Sequence, residues 1–576
     1  MTQYFIIDII PLIRLPANAP DSFSYFYNSK IQSGSIVLIE FKKKKIFGYV
    51  LKSEPIEKKR KFLKEVQIDL KPVLKIVNNN PLIFPYQIKL AFWLKNFYNL
   101  SLSTSLSLFF PTKKLLTYSK QKNNIKKEVN KKILIIVPQK SYLEFLKKKY
   151  PFANLISFEK KDFYIILEKI IGNNNDYFIG TKNSIFLPWQ NLEKIIIYEE
   201  GSIFYKDFFK PPYFDYRKIF LKFAEINKIK YEIQGDLPSF DSIIRIQSNT
   251  NKSIIINNTY KYISKAQYSQ YQHKFSLKNI ERINEKEFEN KIKEFKKTII
   301  FVPEKTFGKK ITCEFCFQSL TCSKCGKFLL LEENFLYCSY CFKKQNLPQI
   351  CPFCQKKYNF FVARKGVKAI FKFLLNLKRN VYFLEKENNK IIKEFNEKEQ
   401  IDLVGSLLLL NPLLENCESF FFYNFDEFYF LNNYFLKEKF IRILDFFKNK
   451  SLKIFLISNI VNPEIDNKIK NGEIIKDFIE ERKINNLPPF KRLVILKEGS
   501  QDLKKIQKKL FFIKEKIKKD NPDIEIFGPI FAPKFKIKNR FFLELVLKIE
   551  NNLNFNLKKI LQNIDIEDID ADALIY

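Results

Sequence analysis

Eight of the nine cysteines in this 576-residue chain form four Cys-x-x-Cys pairs within 42 residues. A Cys-x-x-Cys turn directs two thiolates at one ion, and Zn²⁺ prefers four such ligands in a tetrahedron. Eight ligands predict two closed sites, which are structural rather than catalytic because no coordination position stays open. The predicted metal ligands are Cys313, Cys316, Cys322, Cys325, Cys338, Cys341, Cys351 and Cys354.

The spacing of the four pairs predicts a nested arrangement, in which the outer pairs bind one ion and the inner pairs bind the other. A redox dithiol and an iron–sulfur cluster are competing interpretations, and four regularly placed pairs favour two zinc ions over both. Cys417 stands alone in an apolar context, which is typical of a buried core thiol. The single histidine, His273, excludes any catalytic scheme that needs two.

The composition is that of a folded, basic protein. There are 100 Lys and Arg against 62 Asp and Glu, for a net charge of +38, and 46% hydrophobic residues exclude general disorder. Thirteen glycines are few for phosphate-binding loops, which need positive φ angles. No apolar stretch reaches the roughly 18 residues of a membrane span, and the run at 5–15 lacks the basic leader of a signal peptide. We therefore expect a cytoplasmic protein.

Apolar runs alternate with helical patterns beyond residue 131, which predicts an α/β architecture with buried parallel strands. Before them, residues 1–111 form a small β-rich unit with a basic hairpin at 42–45 and a helix over 86–100. The last hundred residues have strands of their own on either side of a strongly basic helix pattern at 503–519. The chain is thus predicted to have several domains.

Segments outside the cysteines carry a resemblance to a known family. They are Ser-Phe-Ser-Tyr at 22–25, Phe-Gly-Tyr-Val at 47–50, Gly-Thr-Lys-Asn-Ser-Ile-Phe at 180–186, Leu-Pro-Pro-Phe at 487–490 and Asp-Ala-Asp at 570–572. With the cysteine spacing, they resemble the primosomal protein N′ (PriA) family of replication-restart helicases over nearly the whole chain. The resemblance implies a small β-rich N-terminal DNA-binding domain, two degenerate RecA-like helicase lobes, an inserted module with two zinc ions and an α/β C-terminal domain.

The same resemblance divides the chain into six parts. They are a 3′-DNA-binding-like domain (1–111), a linker in place of the winged-helix and phosphate-loop region (112–131), helicase lobe 1 (132–297), helicase lobe 2 (298–310 and 359–475), the zinc-binding module (311–358) and the C-terminal domain (476–576).

The family's phosphate loop has no counterpart in this sequence. That loop requires Gly-x4-Gly-Lys-Ser/Thr, and the two Gly-Lys pairs of the chain are followed by Lys310 and Phe328 instead. A strand, loop and helix need about 30 residues, whereas 112–132 supplies 21. We therefore predict that ATP is not a cofactor of this chain.

Two further ATPase elements are altered relative to the family. Its Asp-Glu-Glu-His motif is Tyr198-Glu199-Glu200-Gly201 here, so a phenol replaces the magnesium-binding aspartate. Lys-Asn-Lys at 448–450 stands where the family has arginines, and lysine does not reproduce their bidentate grip on phosphate. Glu199 and Glu200 are therefore predicted to be vestigial, with no catalytic residues.

The resemblance also implies a pocket for a DNA 3′ end. Phe23 matches the aromatic residue that stacks on the terminal base, and Lys71 matches the basic residue that pairs with phosphate. Ser24 replaces the pocket's aspartate and Lys42 its glycine, so we expect generic phosphate binding rather than selective recognition of the end. The predicted DNA-binding residues are Phe23, Lys42, Lys43 and Lys71. The basic clusters at 58–61, 147–149 and 508–519 are equally consistent with solvated helix faces.

The combined prediction is a PriA-like replication-restart protein that binds forked or single-stranded DNA without helicase activity. Two alternatives stay open: an active ATP-dependent 3′→5′ DNA helicase, and a zinc-ribbon RNA-binding protein. The expected partners are DNA, other primosome proteins and single-stranded-DNA-binding protein, with no membrane contact. We expect a monomer.

Overall fold

The structure, a computed structural model, describes residues 4–574 except 57–69, 80–82, 111–130, 157–162, 173–175, 209, 236, 249–274, 276, 278, 325, 333–334, 340–342, 358, 431–432, 459, 461 and 538. The basic cluster at 58–61, His273 and all of the predicted linker except Lys131 lie outside the described residues. No described helix is both long and apolar enough to cross a membrane.

The N-terminal domain is a closed five-stranded barrel with the strand order β1-β2-β5-β3-β4. The strands are β1 (Phe5–Pro11), β2 (Phe23–Tyr27), β3 (Ile36–Phe41), β4 (Lys44–Pro55) and β5 (Lys71–Asn78). Inward-facing Ile, Val and Tyr side chains fill it. Gly48 lets β1 and β4 approach each other, since a Cβ at this position would lie 2.3 Å from Ile9 Cγ2. The predicted hairpin at 42–45 is the β3–β4 turn.

Two helices follow the barrel, α1 (Pro85–Phe97) and α2 (Leu102–Ser107). Helix α1 begins with a proline at its first position, where a missing N–H costs nothing. Its buried face contacts two other domains: Gln87 Nε2 donates to the Phe186 carbonyl at 3.1 Å, and Trp93 Nε1 donates to the Leu553 carbonyl at 2.6 Å. This helix therefore joins the barrel to the first lobe and to the C-terminal domain.

The first lobe is a five-stranded parallel sheet with the order β10-β9-β6-β8-β7. Its strands are β6 (Lys132–Val137), β7 (Asn154–Leu155), β8 (Tyr177–Thr181), β9 (Leu192–Tyr198) and β10 (Lys230–Gln234). Its helices are α3 (Ser141–Lys149), α4 (Phe163–Ile171) and α5 (Tyr216–Asn227). The helix α6 (Phe240–Ser248) comes next, but its buried residues Phe240 and Ile243 pack in the core of the second lobe.

The second lobe is a six-stranded parallel sheet with the order β11-β21-β20-β12-β19-β18. Its strands are β11 (Ile280–Ile283), β12 (Lys297–Phe301), β18 (Val381–Leu384), β19 (Ile401–Gly405), β20 (Cys417–Phe422) and β21 (Ser451–Ile457). Its helices are α7 (Glu285–Lys291), α8 (Val367–Asn376), α9 (Asn389–Glu397), α10 (Asp426–Tyr429), α11 (Tyr434–Lys448), α12 (Pro463–Asn471) and α13 (Ile474–Ile484).

Two predicted edges of the second lobe differ from the structure. The predicted boundary at 297/298 is too late, because Ile280–Ile283 pairs with Ser451–Ile457 inside the second sheet. The predicted end at 475 is too early, because Ile475, Phe478 and Ile479 of α13 pack in the same core.

A small antiparallel sheet, order β16-β15-β14-β13-β17, is inserted between β12 and α8. Its strands are β13 (Gly308–Cys313), β14 (Leu330–Leu331), β15 (Leu336–Tyr337), β16 (Lys344–Gln345) and β17 (Phe360–Lys365). We call residues 308–365 the cysteine module. The first and last strands of the module in the sequence, β13 and β17, pair with each other, so the module begins and ends slightly outside the predicted limits of 311 and 358.

The C-terminal domain is a four-stranded antiparallel sheet with the order β23-β24-β22-β25 and one long helix across it. The elements are β22 (Lys491–Ser500), α14 (Leu503–Asp520), β23 (Glu525–Ile537), β24 (Arg540–Glu550), α15 (Leu557–Ile560) and β25 (Asp568–Asp570). Ile506, Leu510, Ile513 and Ile517 recur at helical spacing and form the buried face of α14. The remaining lysine-rich face of this helix points to solvent.

Candidate DNA-binding surface, metal centre and interlobe cleft

The structure brings the predicted DNA-binding residues together at one end of the N-terminal barrel. The rings of Phe23 and Phe41 meet edge to face with 5.0 Å between their centroids, and Lys42 Nζ lies 5.9 Å from the centroid of Phe41. Lys42 and Lys43 form the two-residue turn and project into solvent. We call Phe23, Phe41, Lys42, Lys43 and Lys71 the hairpin surface.

Lys71 completes this surface through an exchangeable ion pair. Its Nζ donates to Glu40 Oε1 at 2.5 Å, and both side chains are about half exposed, at 53% and 43%. The hydrogen bond from Lys71 and its charge lower the pKa of the Glu40 carboxyl below the ordinary value. Exposed ion pairs of this kind contribute little to stability, so Lys71 can leave Glu40 for a phosphate at small cost.

Sequence reasoning missed a carboxylate beside Ser24. Ser24 Oγ donates a 2.6 Å hydrogen bond to Asp8 Oδ1, because β1 and β2 pair with Asp8 opposite Ser24. The serine at the family's aspartate position is therefore accompanied by a carboxylate from the neighbouring strand. The signal in the sequence is the single charge that interrupts the apolar run 5–10.

The outer cysteine pairs form one compact cluster. The sulfur atoms of Cys313, Cys316, Cys351 and Cys354 all lie within 4.8 Å of one another. Sγ–Sγ distances are 3.9 Å between Cys313 and Cys354, and 3.8 Å between Cys316 and Cys351. A tetrahedron with Zn–S bonds of about 2.3 Å separates its sulfurs by about 3.8 Å. This cluster therefore fits one metal ion in tetrahedral geometry, as predicted for the outer pairs.

The thiols of this cluster differ in acidity. A backbone hydrogen bond from Gln318 lowers the pKa of Cys316, but burial and the hydrogen bonds with the other three cysteines outweigh it and raise that pKa to about 11. Burial raises the pKa of Cys351, but hydrogen bonds from the backbone N–H groups of Cys354 and Phe353 outweigh it and bring the pKa to about 7. A metal ligand must be deprotonated, and these shifts favour the thiolate at Cys351 but not at Cys316.

The inner pairs share the local geometry of the outer pairs. In each of the four pairs, the backbone N–H of the first cysteine donates to the carbonyl five residues later, at 2.8–3.0 Å. Cys322 and Cys338 are buried, while Cys325 and Cys341 lie outside the described residues. The nested second site thus remains a prediction, and the lone Cys417 is buried as expected.

Glu199 and Glu200 lie after β9, beside a cavity of about 210 Å³ between the two lobes. Glu200 is 2% exposed and accepts three hydrogen bonds, from Ser239 N (2.7 Å), Ser239 Oγ (2.7 Å) and Ser242 Oγ (2.9 Å). These bonds anchor the start of α6. Glu199 lines the cavity and has a left-handed backbone, with φ at +51°.

The cavity walls are aromatic on the first-lobe side. Tyr142 and Phe145 of α3 line it together with Tyr198, and the Tyr142 and Tyr198 ring centroids are 5.9 Å apart. Burial and the nearby Glu199 carboxylate raise the pKa of Tyr142 well above the ordinary value, so its phenol stays neutral.

The basic groups on the second-lobe side already have protein partners. Arg442 donates to the carbonyls of Leu237 and Pro238, which joins the lobes. Lys450, in the segment that replaces the family's arginines, donates to the Leu414 carbonyl, and burial lowers its pKa. Both side chains are therefore hydrogen-bonded to backbone carbonyls in the positions where a phosphate would need them.

The Asp-Ala-Asp segment near the C-terminus forms a buried charge cluster. Asp572 accepts hydrogen bonds from Lys218 Nζ (2.5 Å) and Arg492 Nε (2.8 Å), and Asp570 accepts one from Lys206 Nζ (2.8 Å). Arg492 is 1% exposed and lies over the ring of Phe97, with Cζ 3.5 Å from its centroid. This segment therefore fastens the C-terminal domain to the first lobe and to helix α1.

Comparison with known proteins identifies relatives for much of the chain. Residues 12–111 match the PriA family described as the 3′DNA-binding domain (3′BD). The replication restart protein PriA of Helicobacter pylori is 23% identical over 472 residues, covering 69% of this chain and 71% of that protein. PriA of Borreliella burgdorferi is 24% identical over 416 residues, covering 66% and 61%. PriA of Bacillus subtilis is 20% identical over 418 residues, covering 67% and 51%.

Two solved structures show weak overall similarity to this chain. Dbp5 of S. cerevisiae bound to RNA and ADP BeF3 has a TM-score of 0.33 at 11% identity, covering 66% of this chain and 84% of that one. The DUF1998 helicase MrfA bound to DNA has a TM-score of 0.30 at 9% identity, covering 69% and 51%. The similarity to known proteins is therefore carried by the domain match over residues 12–111 and by the sequence relatives, which are PriA proteins.

Proposed function

We propose that this chain is a replication-restart protein that binds forked or single-stranded DNA through its N-terminal barrel and does not unwind DNA with ATP. The observation that carries the DNA-binding part is the hairpin surface. Exposed lysines there surround two phenyl rings, on the domain that matches the PriA 3′DNA-binding domain. Bases stack on aromatic rings and lysines neutralise phosphates, which is the chemistry that a single strand requires.

The residues of the hairpin surface take distinct roles in this proposal. The ring of Phe23 stacks on an unpaired base, and Lys42 and Lys43 contact the backbone phosphates next to it. Lys71 exchanges Glu40 for a phosphate. The Asp8 carboxylate, 2.6 Å from Ser24 Oγ, offers a hydrogen-bond acceptor for the hydroxyl of a terminal nucleotide.

The interlobe cleft supports the absence of ATP hydrolysis. Glu200 is occupied in anchoring α6, and Tyr198 offers a phenol where the family has a magnesium-binding aspartate. Arg442 joins the two lobes, so it is engaged before any phosphate arrives. In this proposal the lobes are a scaffold, and Glu199 and Glu200 have no catalytic role.

We also propose that the cysteine module holds two Zn²⁺ ions in nested sites. The outer cluster has the sulfur spacing of a tetrahedral site, and the inner pairs have the same backbone turn. Bound zinc would cross-link the small sheet, whose apolar core is limited to a few residues. The divisions at 1–111 and 112–131, the monomeric state and contacts with other primosome proteins and single-stranded-DNA-binding protein belong to the same proposal.

An ATPase assay with forked DNA tests the enzymatic part. We expect the purified chain to release phosphate at the rate of a Glu199→Gln variant, while both bind the fork equally. DNA-stimulated turnover in the unmodified chain above that of the variant would establish an active motor and overturn the proposal.

Equilibrium binding at matched salt tests the DNA-binding part. We expect the chain to prefer a fork or a single strand over plain duplex and structured RNA, and Phe23→Ala/Lys71→Ala to weaken that binding about tenfold. The control Phe92→Ala/Lys89→Ala removes an exposed ring and an exposed lysine from α1 of the same domain, and should bind as the unmodified chain does. A preference for structured RNA would instead establish an RNA-binding protein.

A further inference from the structure

Phenylalanines are exposed at the tips of the two outer cysteine turns. The exposed fractions are 53% for Phe315, 71% for Phe317 and 50% for Phe353. Phe315 and Phe353 each directly precede the second cysteine of a pair, and Phe317 directly follows one. None of the three belongs to the module's apolar core. Folding alone does not explain them.

Phe317 also occupies a backbone conformation that disfavours a large side chain. Its φ is +55°, in the left-handed region. At the corresponding place in an inner pair the chain has Gly326, with φ at +68°, and in the other outer pair it has Gln355, with φ at +60°. A residue with a Cβ is destabilised in this region relative to glycine, because the Cβ lies too close to the following carbonyl oxygen. An exposed ring that lowers stability calls for a function outside the fold.

The chemistry around these rings identifies the partner. Lys356 Nζ lies 5.0 Å from the centroid of Phe315, which places a cation beside the ring and next to the Phe353 turn. Between 308 and 365 the sequence has ten lysines and arginines against three glutamates. Aromatic rings with adjacent cations on a positively charged module suit unpaired bases and their phosphates.

We propose that Phe315, Phe317, Phe353 and Lys356, here called the knuckle face, form a second binding site for single-stranded DNA. The rings stack on successive bases, and Lys356 pairs with a phosphate between them. Duplex DNA cannot use this face, because its bases already stack within the helix. The inference rests on the proposed DNA-binding function and adds a strand-contacting site, separate from the hairpin surface, for an unpaired arm of a fork.

The test uses the full-length, zinc-loaded chain and a fluorescent 30-nucleotide oligo(dT). The background is Phe23→Ala/Lys71→Ala, which weakens the hairpin surface and makes a loss of binding at the knuckle face easier to measure. In this background we expect Phe317→Gly/Phe353→Ala to weaken oligo(dT) binding at least fivefold, with an unchanged salt dependence because no cation is removed. Lys356→Ala should instead make the dependence of log K on log salt shallower by about 0.7.

The control is Gln355→Gly, which makes the same left-handed residue a glycine without removing a ring. We expect this variant to keep full affinity. Phe317→Gly relieves a strained backbone position, so its melting temperature should be at least as high as that of the parent, and unfolding would not account for the lost binding. Unchanged oligo(dT) affinity in Phe317→Gly/Phe353→Ala would overturn the inference and assign the knuckle face to a protein partner, while the proposed function would stand. An unmodified chain that binds no DNA would overturn both.

Discussion

Two buried carboxylates of the C-terminal domain differ in how strongly neighbouring cations stabilise their ionised form. Asp572 is held between Lys218 and Arg492, and despite burial these charges lower its pKa well below the ordinary value. Glu544 on β24 is 7% exposed, and burial raises its pKa to about 6. The Lys497 ammonium opposes that rise but does not overcome it. Ionisation of Asp572 therefore stabilises the folded state, whereas ionisation of Glu544 destabilises it.

Replacing Glu544 with glutamine should stabilise the protein at neutral pH. A carboxyl with a pKa of about 6 in the folded state and 4.5 in the unfolded state keeps its proton to a higher pH when the protein is folded. Stability must then fall as pH rises between those values, by about 1–2 kcal/mol in total. We expect Glu544→Gln to raise the free energy of unfolding by that amount at pH 7.5 and by almost nothing at pH 4, as measured by urea titration.

The matched control is Glu550→Gln, at the exposed end of the same strand. It should leave the free energy of unfolding unchanged at both pH values. Equal stabilisation by Glu544→Gln at pH 4 and pH 7.5 would show that the effect is not one of ionisation.

At the residue scale, the sequence predicted the residues whose chemistry depends on spacing. The outer cysteine cluster follows from Cys-x-x-Cys geometry, and Phe23 and Lys71 come from a motif match. Asp8 could not be predicted, because its role depends on which residue of β2 lies opposite it. Nor could the bonding of Glu200 to Ser239, since those residues are 39 positions apart and meet through the packing of α6.

The turn of the β3–β4 hairpin has two lysines in a backbone conformation that lowers stability, and these lysines add positive charge to the surface. A two-residue turn of this kind requires positive φ at both positions, which favours Asn-Gly. The chain instead has Lys42 at φ +47° and Lys43 at φ +62°. The turn is therefore strained, and two cations project from it.

Replacing this turn with Asn-Gly should separate stability from binding. We expect Lys42→Asn/Lys43→Gly to raise the free energy of unfolding by about 1 kcal/mol, because the new residues accept the left-handed region. The same variant should bind single-stranded DNA more weakly, with a shallower salt dependence, because two phosphate contacts are lost. Thermal melts and fluorescence anisotropy at several salt concentrations measure both effects.

The control Lys44→Gln/Lys45→Gln removes two charges from the beginning of β4 without changing the turn. It should lower affinity without raising stability. A stabilised Asn-Gly variant with full affinity would exclude the turn lysines from DNA contact.

The nested arrangement of the cysteine module predicts how many bound zinc ions are lost when one cysteine is replaced. Cys316→Ser removes one ligand of the outer cluster only, so we expect bound zinc to fall from two ions to one per chain, by elemental analysis after desalting. Cys417→Ser should keep both ions, because burial raises the pKa of the Cys417 thiol to about 12 and it stays protonated at neutral pH. One ion in the unmodified chain would contradict the inner site.

At the element scale, long apolar strands were predictable and short edge strands were not. The five-residue apolar run at 133–137 is a buried central strand of the first sheet, as its composition indicated. Ile280–Ile283 has only four residues, two of them charged, and it forms the edge of the second sheet. Its place depends on pairing with Ser451–Ile457, which lies about 170 residues later, so no local pattern reveals it.

At the scale of the whole molecule, the described part of the chain contains two large hydrophobic cores. One continuous core extends from α1 through the first lobe to the sheet and helix of the C-terminal domain. The other fills one side of the second lobe. A smaller cluster around Tyr434, Leu493 and Val546 bridges them, and Arg442 joins the lobes beside the cleft. The C-terminal domain therefore shares a core with the first lobe, although the second lobe lies between them in the sequence.

This arrangement predicts which variants a tryptophan signal can detect. Both tryptophans of the chain, Trp93 and Trp189, lie in the first core. Leu545→Ala creates a cavity in that core, within the C-terminal sheet, and should cost about 2–5 kcal/mol. We expect it to lower the midpoint of tryptophan fluorescence in thermal unfolding, although the C-terminal domain contains no tryptophan, because the core unfolds as one unit.

Phe440→Ala makes a comparable cavity in the second core and provides the matched comparison. It should leave the fluorescence midpoint in place and produce an earlier transition in far-UV circular dichroism, which reports helices of both cores. The bridging cluster is small relative to either core, so it should not force the two to unfold together. If Phe440→Ala lowers both midpoints equally, the chain unfolds as a single cooperative unit, and the C-terminal domain contributes to the stability of both lobes rather than of the first alone.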